Sequence, residues 1–415
     1  MADSLTRFLP DSLKKGSQRA AFLALAGSVS LVIVSIAASQ ILLAGSVVGA
    51  FWLRGQKDRE SWSCPPIVLP LACYFFWTTV AALASSDPRA GLGITKKFFL
   101  FFILFLVPWF FKGSGRILWV YRAIFTVAFV AATIGILQYA MNPNRDLLHR
   151  ISGFMSQWMT FSGLLMLVLV ALSAYVMCAG LGKAVWVLPL GLVLIVSLAL
   201  SLTRSAWLGA IAGLITVLAL ARPRALGGLI MVVLVMLLIS PGKIQDRLRT
   251  GLDPADANTR NRIELLGTSL RLIKDNPWFG VGPKNVSREA LRYRGTDEFP
   301  DWLYQHMHSN FLQIAAERGL PGLALWLWFI GRLIWDAWRV RRAALQGAAP
   351  GSHRPEPNEP LFASTAALGC TAALLVAGFF EYNFGDSEVL TLFLFVMSAP
   401  YAFLTGSPAE PRQPA

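Results

Sequence analysis

Apolar runs long enough to cross a bilayer recur from about residue 20 to residue 404, and only one long polar segment, residues 241–307, interrupts them. A helix of roughly 20 apolar residues matches the thickness of the hydrocarbon core. Such a pattern excludes most soluble architectures, in which each element buries one face and leaves the other polar. Composition agrees: 55% of the 415 residues are hydrophobic, only 14% are charged, and the mean hydropathy is +0.56. The expected fold is an all-α integral membrane protein with about twelve transmembrane helices and one large loop carrying short amphipathic helices.

The net charge of +14 raises the question of nucleic acid. The basic residues fall between apolar runs, however, as the positive-inside rule expects, so they suit membrane lipids or a phosphate-bearing substrate and no nucleic acid. Lys14, Lys15 and Arg19 precede an apolar run that continues to about Leu53, well beyond a signal-peptide core, and a hairpin near Ala38–Gln40 divides it into two retained spans. Further spans are expected at about 64–84, 98–111, 117–141, 155–178, 185–202, 206–221, 225–240, 320–338, 361–380 and 388–404. This gives a nine-helix region over 1–240, a loop over 241–318, three helices over 319–405 and a tail over 406–415. With the N-terminus in the cytoplasm, an even span count returns the C-terminus there. Residues 88–97, 142–154, 203–204, the long loop and 381–388 then share the outer face. No cysteine among Cys64, Cys73, Cys178 and Cys370 has metal-ligand spacing, so neither a zinc site nor a disulfide framework is expected.

The polar residues on that face carry the functional signal. Arg204 interrupts Ser201-Leu202-Thr203-Arg204-Ser205-Ala206-Trp207 between two apolar runs. A snorkelling interface arginine would give the same pattern. An intramembrane cation awaiting an anion is the sharper reading, and an arginine fork suits phosphate. Arg150 opens Arg150-Ile151-Ser152-Gly153 at a loop-to-helix junction, as either a loop charge or a cation beside a close backbone approach. In the long loop, apolar positions at three- and four-residue steps predict an amphipathic helix capped by Asn258 or Thr259 and ended by Asn276-Pro277. Arg260 and Arg262 lie in its first turn, against the helix dipole, so a bound anion would relieve the conflict. Arg288 sits in a second short helix with Arg292 and Arg294 nearby. His308 precedes Phe311 and Leu312 by three and four residues, so a helix starting there turns its imidazole inward as a general base. His306 would face elsewhere. Glu381, Asp386 and Glu388 lie in the turn between the last two spans, where arginine pairing or sugar hydroxyls are favoured over a metal ion.

These segments resemble the O-antigen ligase family, within the superfamily of O-antigen ligases and polymerases. The resemblance rests on His308-Ser309-Asn310-x-Leu312-Gln313-x-x-x-Glu317-x-Gly319, on Pro277-x-x-Gly280-x-Gly282, on Arg262 ahead of that turn, and on Arg204 at the end of a span. It implies a GT-C-like, metal-independent, inverting glycosyltransferase of the bacterial inner membrane without a cofactor. Its site would face the periplasm and both termini the cytoplasm. The implied donor is O-antigen polysaccharide on undecaprenyl pyrophosphate, and the acceptor is a terminal sugar of lipid A–core oligosaccharide. His308 would then be the catalytic base, with Arg204, Arg262, Arg150 and Arg288 on the pyrophosphate. An O-antigen polymerase or a protein O-oligosaccharyltransferase of the same superfamily is the nearest alternative. A transporter or flippase of a lipid-linked anion is the alternative of another class; it should show inverted repeats and midplane charges, and the sequence shows no repeat.

Overall fold

The computed structural model describes residues 16–55, 64–111, 115–142, 150–179, 187–228, 230–231, 256–295, 299–346 and 358–404. Every regular element among them is helical. The main helices are α1 (Gly16–Leu31), α2 (Ile36–Arg54), α3 (Val68–Leu83), α4 (Pro88–Phe110), α5 (Arg116–Met141), α6 (Trp158–Ala179), α7 (Val187–Leu200), α8 (Arg204–Ala221), α9 (Ala257–Asp275), α10 (Asn310–Gln346), α11 (Glu359–Ala377) and α12 (Ser387–Ser398). Seven helical runs among the described residues are long and apolar enough to cross a membrane, and α3 and α7 are shorter apolar helices. Their apolar side chains also face outward, as Ile41, Phe76, Leu137 and Leu192 do. The chain is a multi-pass membrane protein.

Several boundaries differ from expectation for local reasons. The first hairpin turns at Val32–Ser35, where the Ser35 hydroxyl accepts the Ala38 backbone N–H and caps α2. Residues 88–97, expected as a loop, are helical: Asp87 caps Pro88–Leu92, and a 3₁₀ stretch over Gly93–Phe102 carries the chain into Ile103–Phe110. The span expected at 320–338 is part of a longer helix, α10, broken at Gly319 (φ 69°, ψ −179°). The amphipathic helix α9 forms as expected, but its cap is Asp256, whose Oδ1 accepts the Thr259 N–H at 3.3 Å. Most of the span expected at 225–240 lies outside the described residues, as does His149.

One helix pair fixes where the site lies. Gly209 and Gly213 on α8 face Ala373 and Gly369 on α11. A Cβ at Gly209 would lie 2.7 Å from the Ala373 carbonyl oxygen, and one at Gly213 3.0 Å from that of Gly369. Lipid offers no hydrophobic drive between helices, so close backbone approach at small residues supplies the dispersion contact that holds them. The pairing is antiparallel, because rising numbers on α8 meet falling numbers on α11. The N-terminus of α8, which is Arg204, therefore stands beside the C-terminus of α11 and the turn that follows it. Helix α6 packs against both through Met166 and Val170, and α10 packs on α3 and α11.

Candidate functional site

The histidine segment docks onto the α11–α12 turn through Asn310, the first residue of α10. Its backbone N–H donates to the Gly378 carbonyl at 2.7 Å. Its side-chain amide donates to Asn383 Oδ1 at 2.7 Å and accepts the Phe384 N–H at 3.0 Å. Asn310 is fully buried, so these bonds replace water and tie two segments that are 73 residues apart in sequence. Gln313, one turn later, accepts the Met307 N–H at 2.7 Å and donates to Glu317 at 3.0 Å. Glu317 in turn accepts the Lys284 N–H at 3.1 Å and pairs with Arg318.

The glycine turn after α9 joins the same assembly. Val281 and Gly282 N–H groups donate to the Ala316 and Glu317 carbonyls at 2.9 and 3.0 Å, and the Leu320 N–H donates to the Pro277 carbonyl at 2.7 Å. The break at Gly319 opens the space the turn occupies. A Cβ there would lie 2.0 Å from the Trp278 carbonyl oxygen, and one at Gly280 2.4 Å from that of Ala316. Both glycines have positive φ, where only glycine is comfortable. Phe279 stacks on Trp77 of α3 with centroids 5.3 Å apart, while Trp278 is exposed.

Against this frame His308 stands at φ 45°, outside the helix. The expectation that helical spacing turns it inward with Phe311 is therefore corrected: α10 starts at Asn310, and the loop sets the imidazole's direction. His308 Nδ1 lies 3.6 Å from Glu381 Oε1. The loop also brings back His306, which was expected to face elsewhere. The two rings have centroids 4.0 Å apart, and the His308 backbone N–H donates to His306 Nδ1 at 3.3 Å. Burial first, and then neighbouring His308, push the His306 imidazole down to about 4, so it is neutral near pH 7. Burial alone would raise the Glu381 carboxyl. The contact with His308 and the charges of His308, His306 and Arg262 outweigh burial and hold it below the ordinary value, as a carboxylate.

Three of the four expected arginines converge here. Arg262 reaches from the second turn of α9 to the α11–α12 turn, donating to the Phe380 carbonyl at 2.8 Å with its guanidinium 5.8 Å from the Phe380 ring. Its pKa is lowered by burial and by Arg204, with Glu381 acting in the opposite sense. Arg150 lies 5.0 Å over the Trp158 ring, and burial and Arg204 lower its pKa in the same way. The Arg150 Nε–H is buried with no hydrogen-bond partner among the described residues. Arg204 thus sits within electrostatic reach of both, at the first position of α8 and two residues after Leu202, a non-glycine residue at φ 50°. Mutually repelling guanidiniums, one with an orphaned donor, form a place where an anion is favoured.

Arg288 is placed elsewhere. Its guanidinium contacts Ser86, Asp87, Asn285 and Glu289. Asp386 accepts from the Thr160 hydroxyl at 3.1 Å. Burial and the charges of Glu381 and Glu388, against Thr160 and Lys97, raise its carboxyl to about 7. Lys97 donates to the Gly385 carbonyl and so pins the same turn. Asn310, Gln313 and Glu317 were visible within the histidine motif, but their clamping roles need the folded partners. Lys97 and Thr160 have no signal in the sequence, being single polar residues beside apolar runs.

The model of the family described as O-antigen ligase matches residues 189–327. That stretch holds Arg204, Arg262, Arg288, His306 and His308, while Arg150 and the 381–388 turn lie outside it. A search of curated proteins returns no match.

Proposed function

We propose, from the match of residues 189–327 to the family described as O-antigen ligase, that this chain transfers O-antigen polysaccharide from undecaprenyl pyrophosphate to a terminal sugar of lipid A–core oligosaccharide. The observation that carries the reading is the meeting of a carboxylate-paired imidazole, His308 with Glu381, and the three arginines Arg150, Arg204 and Arg262 at one end of the bundle. In this reading His308 accepts the proton of the acceptor hydroxyl as its oxygen bonds to the anomeric carbon. The bond from that carbon to the pyrophosphate oxygen breaks, its electron pair leaves with undecaprenyl pyrophosphate, and the anomeric centre inverts. Arg204, Arg262 and Arg150 hold the pyrophosphate and offset its growing charge, supplying what a metal supplies elsewhere. Glu381 orients the ring and balances the imidazolium that forms. Arg288, already engaged by Asp87 and Ser86, takes no part in phosphate holding.

The same reading places the site on the periplasmic side of the inner membrane, in a GT-C-like chain of about twelve spans, with both termini cytoplasmic. Reporter fusions at residues 150, 260 and 382 should all score as periplasmic. Replacing His308 with Ala in a ligase-deficient Gram-negative strain should abolish smooth lipopolysaccharide; normal levels would remove the base role. Purified protein given lipid-linked glycan with lipid A–core, a second lipid-linked repeat or a pilin-like protein should glycosylate the first. Transfer to one of the others would make the chain a polymerase or a protein O-oligosaccharyltransferase.

A further inference from the structure

The fold brings together three ligating groups that the sequence keeps apart. One nitrogen from each of His306 and His308 and one carboxylate oxygen of Glu381 lie within 4.8 Å of one another, with Glu381 buried and both imidazoles half-buried. In a tetrahedral zinc site with bonds of about 2.0–2.2 Å, such atoms stand roughly 3.3 Å apart, so modest side-chain rotations close the set. Two imidazoles and a carboxylate with a fourth position open form the donor set of catalytic zinc sites. We propose that His306, His308 and Glu381 form an inhibitory site for a zinc-class divalent ion, which occupies the His308 lone pair and so silences the transfer reaction.

The surroundings define which ion. Arg262 reaches the same turn, donating at 2.8 Å to the carbonyl of Phe380, the residue next to Glu381, so the local field opposes any cation. Only an ion whose bonds to imidazole are strong overcomes that field. Zinc, copper and nickel meet the condition. Magnesium and calcium, which prefer oxygen ligands and keep their water, do not. The geometry also separates His306 from His308 in function. His306 contributes a ligand without being the proposed base. Inhibition and catalysis then share His308 and Glu381 but not His306.

This inference deepens the reading of the same site, and its test is arranged so that the two fail separately. Cobalt(II) titrated into the purified detergent-solubilised protein, without substrate, should give the visible absorption of a low-coordinate site at one equivalent, and zinc should displace it. His306→Ala and Glu381→Gln should each weaken binding by at least about tenfold, the scale on which lost support around a metal is felt. His306→Gln serves as a second variant that keeps a polar side chain, and it should weaken binding equally. In the transfer assay zinc, but not magnesium, should slow the wild-type protein, a chelator should restore it, and His306→Ala should shift the inhibitory concentration upward by about the same factor. Absence of a cobalt spectrum, binding untouched by the His306 variants, or full transfer with zinc bound would each overturn the proposal. Failure to glycosylate any acceptor would sink the transfer reading, while the cobalt titration would still decide the site.

Discussion

Glu381→Gln is the sharpest perturbation of the proposed reaction, because it removes one charge and little volume. Glu381 Oε1 lies 3.6 Å from His308 Nδ1, and the two side chains are 11% and 25% exposed. At an effective dielectric constant of about 20, a carboxylate and an imidazolium at that distance attract by about 4–5 kcal/mol. The attraction is absent while His308 is neutral and complete once it has taken the acceptor's proton. With about half the proton moved in the transition state, the loss is about 2 kcal/mol, or roughly 30-fold in kcat. The donor's KM should hardly move, because Glu381 contacts the base and not the pyrophosphate. The assay is single-turnover transfer from lipid-linked glycan to lipid A–core, with excess enzyme so that product release does not mask chemistry. His308→Ala with Glu381→Gln should be no slower than His308→Ala alone, since a carboxylate that acts through the imidazole has nothing left to act on. A double variant slower than His308→Ala by the full 30-fold would refute the reasoning and place Glu381 directly on substrate.

Arg204→Lys should cut transfer by at least about tenfold, since a point charge cannot reproduce the fork; near-normal ligation would remove bidentate phosphate holding. Gly319→Ala should cost more than about 3 kcal/mol, through positive-φ strain plus the clash with Trp278, read as loss of the folded protein in a thermal melt. Asp386, raised to about 7 by burial and by Glu381 and Glu388 against Thr160 and Lys97, binds a proton in the folded state that the unfolded chain has released above about pH 4. Stability should therefore fall as pH rises through that window, by up to about 1.4 kcal/mol per pH unit, and level off above about 7. Asp386→Asn should remove that slope. His306, held near 4 by burial and His308, contributes the opposite slope below its ordinary range of about 6.5, so the difference between the two proteins' melts isolates Asp386.

Apolar runs announce membrane helices without knowledge of partners, because the bilayer itself dictates their length. Hence α5, α6, α8 and α11 begin and end within a few residues of their expected bounds. The misplaced features are those a partner decides. Gly319 lies in a break because the 277–282 turn needs the room, and the residues around it cannot say so. His308 lies outside α10 because Asn310 is clamped by Gly378, Asn383 and Phe384, so helical periodicity applied to His308 describes a helix that has not begun. The imidazole faces its partner all the same, for a reason the spacing does not contain.

For the proposed reaction, the arrangement also explains why the segment from His308 to Gly319 carries so many residues with no assigned part in the chemistry. His308 and Glu381 belong to different segments, and Arg204 and Arg262 to two more. A base must be held within a fraction of an ångström of its partners if binding energy is to appear as rate. Asn310 sets the distance from His308 to Glu381, since it bonds to both sides of that residue in the turn. Gln313 sets the strand of chain that carries His306 and His308, by holding the Met307 N–H between them. Glu317 and Gly319 anchor the 277–282 turn and with it the end of α9, whose other end delivers Arg262. The glycine contacts between α8 and α11 place Arg204 beside the same turn. Each spacer in the motif thus fixes one coordinate of a site assembled from four distant segments. Loosening the Asn310 or Gln313 clamp should lower kcat before it lowers the folded population.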